Sequence, residues 1–163
     1  MSVDGSDINA MSLDAAWQKF SAGLALTLSC MPAEAYLVLN AADGRYARFH
    51  MGTPVLWCEI VHNAQLAEEW RMPERVETLL QEHGWASPVD GQSVSWHRLV
   101  AWPVPFRAYE LVADHISVAL CHGVRVQAPT ELSIDCWIRN SKEDFDISAL
   151  RVVIEGRLRP EIE

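Results

Sequence analysis

The sequence predicts an α+β domain: one twisted antiparallel sheet of about five strands with helices packed on it. Three observations lead there. Three strand-like segments follow one another with only short turn-rich links between residues 35 and 63, which implies an antiparallel meander. Helical and strand-like periodicity alternate after them. The chain has 163 residues, half of them hydrophobic, which fits one domain with a substantial core. The predicted order is α-β-β-β-α-β-α-β followed by a tail, and runs of strands followed by helix–strand alternation read as α+β.

Residues 1–11 read as a flexible acidic tail, 12–140 as a single α+β domain, and 141–163 as a C-terminal extension. The first helix is expected to start with Ser12 as N-cap and Asp14 in its first turn. Trp17, Phe20, Leu24 and Leu28 then recur at three- and four-residue steps, so they share a face, and Pro32 ends the helix. "AYLVLN" (35–40) reads as a strand, and Asp43-Gly44 suits a turn with positive φ. "RYARFHM" alternates, with Ala47, Phe49 and Met51 on one side and Tyr46, Arg48 and His50 on the other. "VLWCEIVHN" (55–63) is apolar on both faces, as a central strand would be.

Pro73 suits the first position of a second helix, with Val76, Leu79, Leu80 and His83 as its stripe and Gly84 as its stop. "SVSWHRLVAW" (93–102) is a further strand, with Val94, Trp96, Val100 and Trp102 on one face. Pro105 opens a helix running to about Cys121, whose buried side is read as Phe106, Tyr109, Val112, Ala113, Ile116 and Leu120. "LSIDCWIRN" alternates with Leu132, Ile134, Cys136 and Ile138 inward. The extension's "LRVVIEGRLR" reads either as a last strand or as a docked segment.

Charge narrows the function classes. Thirteen basic against 22 acidic residues give a net charge of −9. A field of that sign disfavours nucleic acid and anionic lipid, so neither is an expected partner. The N-terminal stretch carries three aspartates and no basic residue before Lys19, unlike a signal peptide, and "GLALTLSCM" is too short to span a bilayer. A cytoplasmic protein without membrane insertion is the expectation. Cys30, Cys58, Cys121 and Cys136 lie far apart with no C-x-x-C pair, which suggests reduced thiols in mostly buried positions.

Glu59 and His62 form an E-x-x-H pattern that would converge on one face of a helix. Their segment reads as a strand, where a separation of three puts them on opposite faces. A local metal pair is therefore not expected. Glu59 shares its face with Val55, Trp57 and Val61, and a carboxylate among apolar groups needs a partner; Arg45, Arg48, Arg98 and Arg107 are the candidates. His83 and His122 precede glycines at helix ends, where an imidazole can meet terminal carbonyls. No nucleophile elbow, phosphate loop or carboxylate cluster is present in the sequence, so no catalytic residue, metal or cofactor is assigned. Seven tryptophans exceed what one sheet face and two helices readily enclose, so some are expected at a groove or contact surface.

A spaced series of segments resembles the TY-Chap group of bacterial proteins, peptide-binding chaperones related to type III secretion chaperones and YbjN-like proteins. "AYLVLNAADGRYARFHM" resembles the family's first hairpin and "CEIVHNAQL" its next strand. "LLQEHGWASP" resembles its helix end, and "ALCHGVRVQAPTEL" its late helix, glycine exit and Pro-x-Glu-Leu. The resemblance covers roughly residues 12–137; the proline-rich "AWPVPF" and both ends depart from it. It implies a type III secretion chaperone-like fold and a non-enzymatic domain that holds an extended or unfolded segment of a client protein or peptide. It also implies a homodimer. The contact residues expected on this reading are Tyr46, Phe49, Trp57, Glu59, Trp96 and Trp102. Two alternatives stay open: an acidic adaptor or immunity-type protein with one dedicated folded partner, and an enzyme using a Cys or His, whose activity would be lost on changing Cys58 or Cys121.

Overall fold

Five strands form a single sheet in the spatial order β4-β3-β2-β1-β5, and every neighbouring pair is antiparallel. The computed structural model describes residues 11–88, 94–101, 104–143 and 145–156. The strands are β1 (Ala35–Asn40), β2 (Tyr46–Met51), β3 (Val55–Val61), β4 (Ser95–Ala101) and β5 (Ser133–Ile138). The helices among the described residues are α1 (Ala15–Ser29), α2 (Glu74–Glu82), α3 (Phe106–Val118) and α4 (Ser148–Glu155). The architecture is the α+β sheet with packed helices that the periodicities predict, in the predicted order. Trp102 and the 1–10 tail lie outside the described residues.

Period-two alternation sorts each strand into two faces. Leu37 and Leu39 of β1, Phe49 of β2, Leu56, Cys58 and Ile60 of β3 and Trp96 of β4 point to one side and are at most 2% exposed. They share a core with Trp17, Phe20, Leu24 and Leu28 of α1 and Val112, Ala113 and Ile116 of α3. The Asp-Gly link behaves as the sequence requires: Asp43 at φ 66° and Gly44 at φ 78° turn β1 into β2.

Several boundaries differ from the sequence reading. The N-cap of α1 is Asp14, whose carboxylate accepts from Trp17 N–H at 3.0 Å, not Ser12. A carboxylate three residues ahead of an orphan amide meets both the geometry and the positive helix end. Pro73 is the N-cap of α2 and not its first helical residue. Phe106 is 43% exposed, because it is the first residue of α3 and the buried stripe starts a turn later at Tyr109. The α-helix stops at Val118 and one π turn, Ala119–Gly123, carries the chain on.

Within the extension, 148–155 is a helix and not a strand. Leu150 and Ile154 join the core, and α4 packs against α1. The close approach explains Gly23: a Cβ there would stand 2.6 Å from the carbonyl oxygen of Ala149. No helix among the described residues is long and apolar enough to cross a membrane.

Candidate functional site

The second face of the sheet carries the other alternation, and its register brings side chains from all five strands into line. Trp137 of β5 pairs with Tyr36 of β1, Tyr36 with His50 of β2, His50 with Trp57 of β3, and Trp57 with Leu99 of β4. This is a continuous row across the sheet, neighbours standing about 5 Å apart. Its rings stack: Tyr36 lies 4.2 Å from His50 and 5.0 Å from Trp137, with planes within 12° and 9° of parallel. Trp57 turns along its strand and stacks on His97 at 5.5 Å. The row is open at both ends, with Trp137 45% and Leu99 51% exposed, while Tyr36, His50 and Trp57 are half-buried.

A second, polar row runs beside it: Asp135, Val38, Arg48, Glu59 and His97. Arg48 Nε donates to Glu59 Oε1, and the Trp57 indole N–H donates to Glu59 Oε2. Of the four arginines considered for Glu59, the structure selects Arg48, its direct cross-strand neighbour. Arg45 is spent elsewhere, donating to the carbonyls of Ala42, Val124 and Arg125 and lying 3.9 Å over the Trp70 ring. The Arg48 guanidinium sits 4.7 Å over Tyr46, whose hydroxyl is 2.6 Å from Ser95 Oγ. The rows border a depression of about 370 Å³ lined by Tyr36, Val38, Arg48, Phe49, His50, Glu59 and Trp137, although the Phe49 ring itself belongs to the core. A smaller apolar hollow of about 320 Å³, with Met31, Met51 and Pro54 in its wall, lies at one end of the sheet.

Glu59 therefore stands in a cleft as one half of an ion pair, its side chain 14% exposed. Both carboxylate oxygens are engaged, so it fixes the Trp57 and Arg48 side chains in place. His62 follows the end of β3 and accepts from Ala64 N–H at 3.0 Å, which separates it from Glu59. At the sheet end, Arg139 donates to the Tyr36 hydroxyl and its Nε stands 3.6 Å from Glu34, which in turn lies 3.7 Å from His50 Nε2.

Of the residues expected to make contacts, Tyr46, Trp57 and Glu59 come together on this face. Phe49 and Trp96 do not: they are 2% and 1% exposed and point into the core on the opposite side. Strand parity is the reason, since each sits one residue out of step with the open face. The residues that sequence reasoning missed are Tyr36, His50, His97, Leu99 and Trp137. Alternation marks Tyr36 and Trp137 as outward-facing, but only the pairing of β5 with β1 brings them together.

Burial pushes the Cys58 thiol far above the usual range, opposed in part by Arg98, and burial also raises Cys121. Both stay protonated, which is the reverse of an activated nucleophile. His115 accepts from the Trp85 indole at 3.2 Å; burial, with His83 and Arg98 nearby, lowers it to about 4. His122 meets the carbonyl of Ser12 at 2.8 Å, bridging to the chain before α1 and not capping its own helix. Among the described residues no group of three or more His, Cys, Asp or Glu side chains is arranged to hold a metal ion.

No curated protein and no solved structure matches the chain. A family model does, over residues 10–138, and its description is "T3SS (YopN, CesT) and YbjN peptide-binding chaperone 3". That span contains all five strands, both rows of the open face and helices α1 to α3, and leaves out α4. The chain belongs to this peptide-binding chaperone family, TY-Chap3.

Proposed function

We propose that this protein is a non-enzymatic chaperone-type domain that holds an extended segment of a client protein across the open face of its sheet. The observation that carries the reading is the cross-strand row Trp137–Tyr36–His50–Trp57–Leu99, which remains accessible although the opposite face is sealed by helices. Covering the two half-exposed ends of this row would contribute about 1 kcal/mol each by apolar burial. Stacked rings lose little conformational freedom on binding, because their neighbours already restrict them. The Arg48–Glu59–Trp57 network keeps the face in one arrangement and offers polar edges for the backbone of a bound segment. Tyr46, Trp57 and Glu59 keep their place in this proposal; Phe49 and Trp96 support it from beneath.

Bacterial origin, cytoplasmic residence and a homodimer belong to the same proposal, by analogy with secretion chaperones. The raised pKa values of the buried Cys58 and the half-buried Cys121 support a binding role over a cysteine enzyme. The test is an aggregation assay with a chemically unfolded client. Wild type suppresses light scattering at stoichiometric ratios, and a Trp57→Ala/Trp137→Ala double variant with an unchanged circular dichroism spectrum loses that protection. Equal protection by both proteins would remove the open face from the function.

A further inference from the structure

The charges on the open face are unevenly compensated. Glu59 is paired with Arg48, and Glu34 lies beside Arg139. Asp135 is exposed, its cross-strand neighbour is the aliphatic Val38, and no ion pair to it occurs among the described residues. Two residues along β5 on the same face stands Trp137, one side of whose ring is stacked on Tyr36 while 45% of the residue remains exposed. An uncompensated carboxylate thus stands on the same face of β5 as a half-open indole, opposite Val38, and Trp137 and Val38 both line the 370 Å³ depression. Indole faces attract cations, and Arg guanidinium stacks on them best. The chain as a whole, at −9 with Asp135 included, adds a field of the same sign.

We infer that the segment held on this face is cationic as well as apolar: it presents an arginine or lysine to the Asp135–Trp137 corner and apolar side chains to the aromatic row. This rests on the peptide-holding reading and specifies its client class. A second copy of this chain is the poorer occupant, since it would bring another −9 and a second Asp135 toward the same surface. An acidic segment meets the same repulsion.

Three fluorescein-labelled peptides of about twelve residues, long enough to cross the five strands, test this by fluorescence anisotropy with the full chain. Each alternates Leu and Phe with arginine, with glutamine or with glutamate. The arginine peptide should bind about five- to tenfold tighter than the glutamine peptide, and the glutamate peptide weakest. Added salt should shrink that difference. Asp135→Lys, an exposed position whose substitution leaves the core untouched, should reverse the order of the arginine and glutamate peptides. Trp137→Ala should weaken the arginine peptide, with Trp137→Phe partly restoring it. If all three peptides bind equally, and Trp57→Ala weakens them equally, the cationic preference is wrong while the peptide-holding face stands. If none binds, or binding ignores both Trp57→Ala and Trp137→Ala, the holding reading itself fails. If sedimentation shows a wild-type dimer that Trp137→Ala dissociates, the face belongs to a second copy and the inference is overturned.

Discussion

The two faces of this sheet are made by the same five strands, yet one is a core and the other a surface. On β2 the contrast is residue by residue: Phe49 is sealed, while its neighbours His50 and Arg48 reach the open side. On β3, Leu56, Cys58 and Ile60 are completely buried, while Trp57 and Glu59 between them are not. The sealed face is aliphatic with a few large rings. The open face is aromatic, imidazole-bearing and crossed by an ion pair. Aromatic content alone therefore does not distinguish a core face from an open one; the partner that each ring meets does. Trp96 meets the core, and Trp137 meets Tyr36 and solvent.

Truncating one ring on each face should separate the two most strongly. Trp96→Ala removes a fully buried indole and should cost about 3–5 kcal/mol in a denaturant unfolding titration. Trp137→Ala should cost less than about 1 kcal/mol in the same titration, because its ring is already half in water. A large loss at position 137 would mean the open face is structural after all.

Acid should act on the sealed side first. His115 has its folded-state pKa depressed to about 4, chiefly by burial and then by His83 and Arg98. A neutral imidazole favoured in the folded state contributes stability that is fully present above the unfolded value near 6.5. That contribution is lost as pH falls from there toward about 4, on the order of 3 kcal/mol in total. His115→Gln, which keeps an acceptor for the Trp85 indole, should flatten this part of the pH–stability profile. An unchanged slope would show that His115 is not the group responsible.

Smaller effects refine the picture. Gly23→Ala places a methyl group against the Ala149 carbonyl and should destabilise by about 1–3 kcal/mol, with increased amide exchange confined largely to α4. Glu59→Gln should cost under about 1 kcal/mol, since Arg48 is largely solvated, while the tryptophan emission shifts as the Trp57 indole loses its charged acceptor.

Much of this fold is legible in the sequence, because alternation along 35–40, 46–51 and 133–138 and helical spacing over 15–29 are strong local signals. Strand parity already separates Glu59 from His62 in the sequence, and in the structure His62 also lies just beyond the end of β3. What escapes is whatever depends on pairing. The sequence order places β5 last, and nothing local says that it returns beside β1 and not β4. Without that, Trp137, Tyr36 and His50 are scattered rings and not a stack. Phe49 and Trp96 fall on the sealed side for a related reason: aromatic identity does not fix the face, whereas parity assigns Phe49 to the same side as Ala47 and Met51. The sequence leaves 148–155 open between helix and strand because eight residues, "SALRVVIE", carry too few turns to separate a helical stripe from a strand.

Site-specific crosslinking shows which layer of the protein holds the client. Benzoylphenylalanine placed at position 99, at the open end of the aromatic row, would be compared with the same group at position 26, which is equally exposed at 51% on the helix layer. A photo-crosslinked client segment captured at position 99 and not at position 26 is the predicted result. Capture at position 26 alone would show that the helices, and not the open sheet face, hold the client.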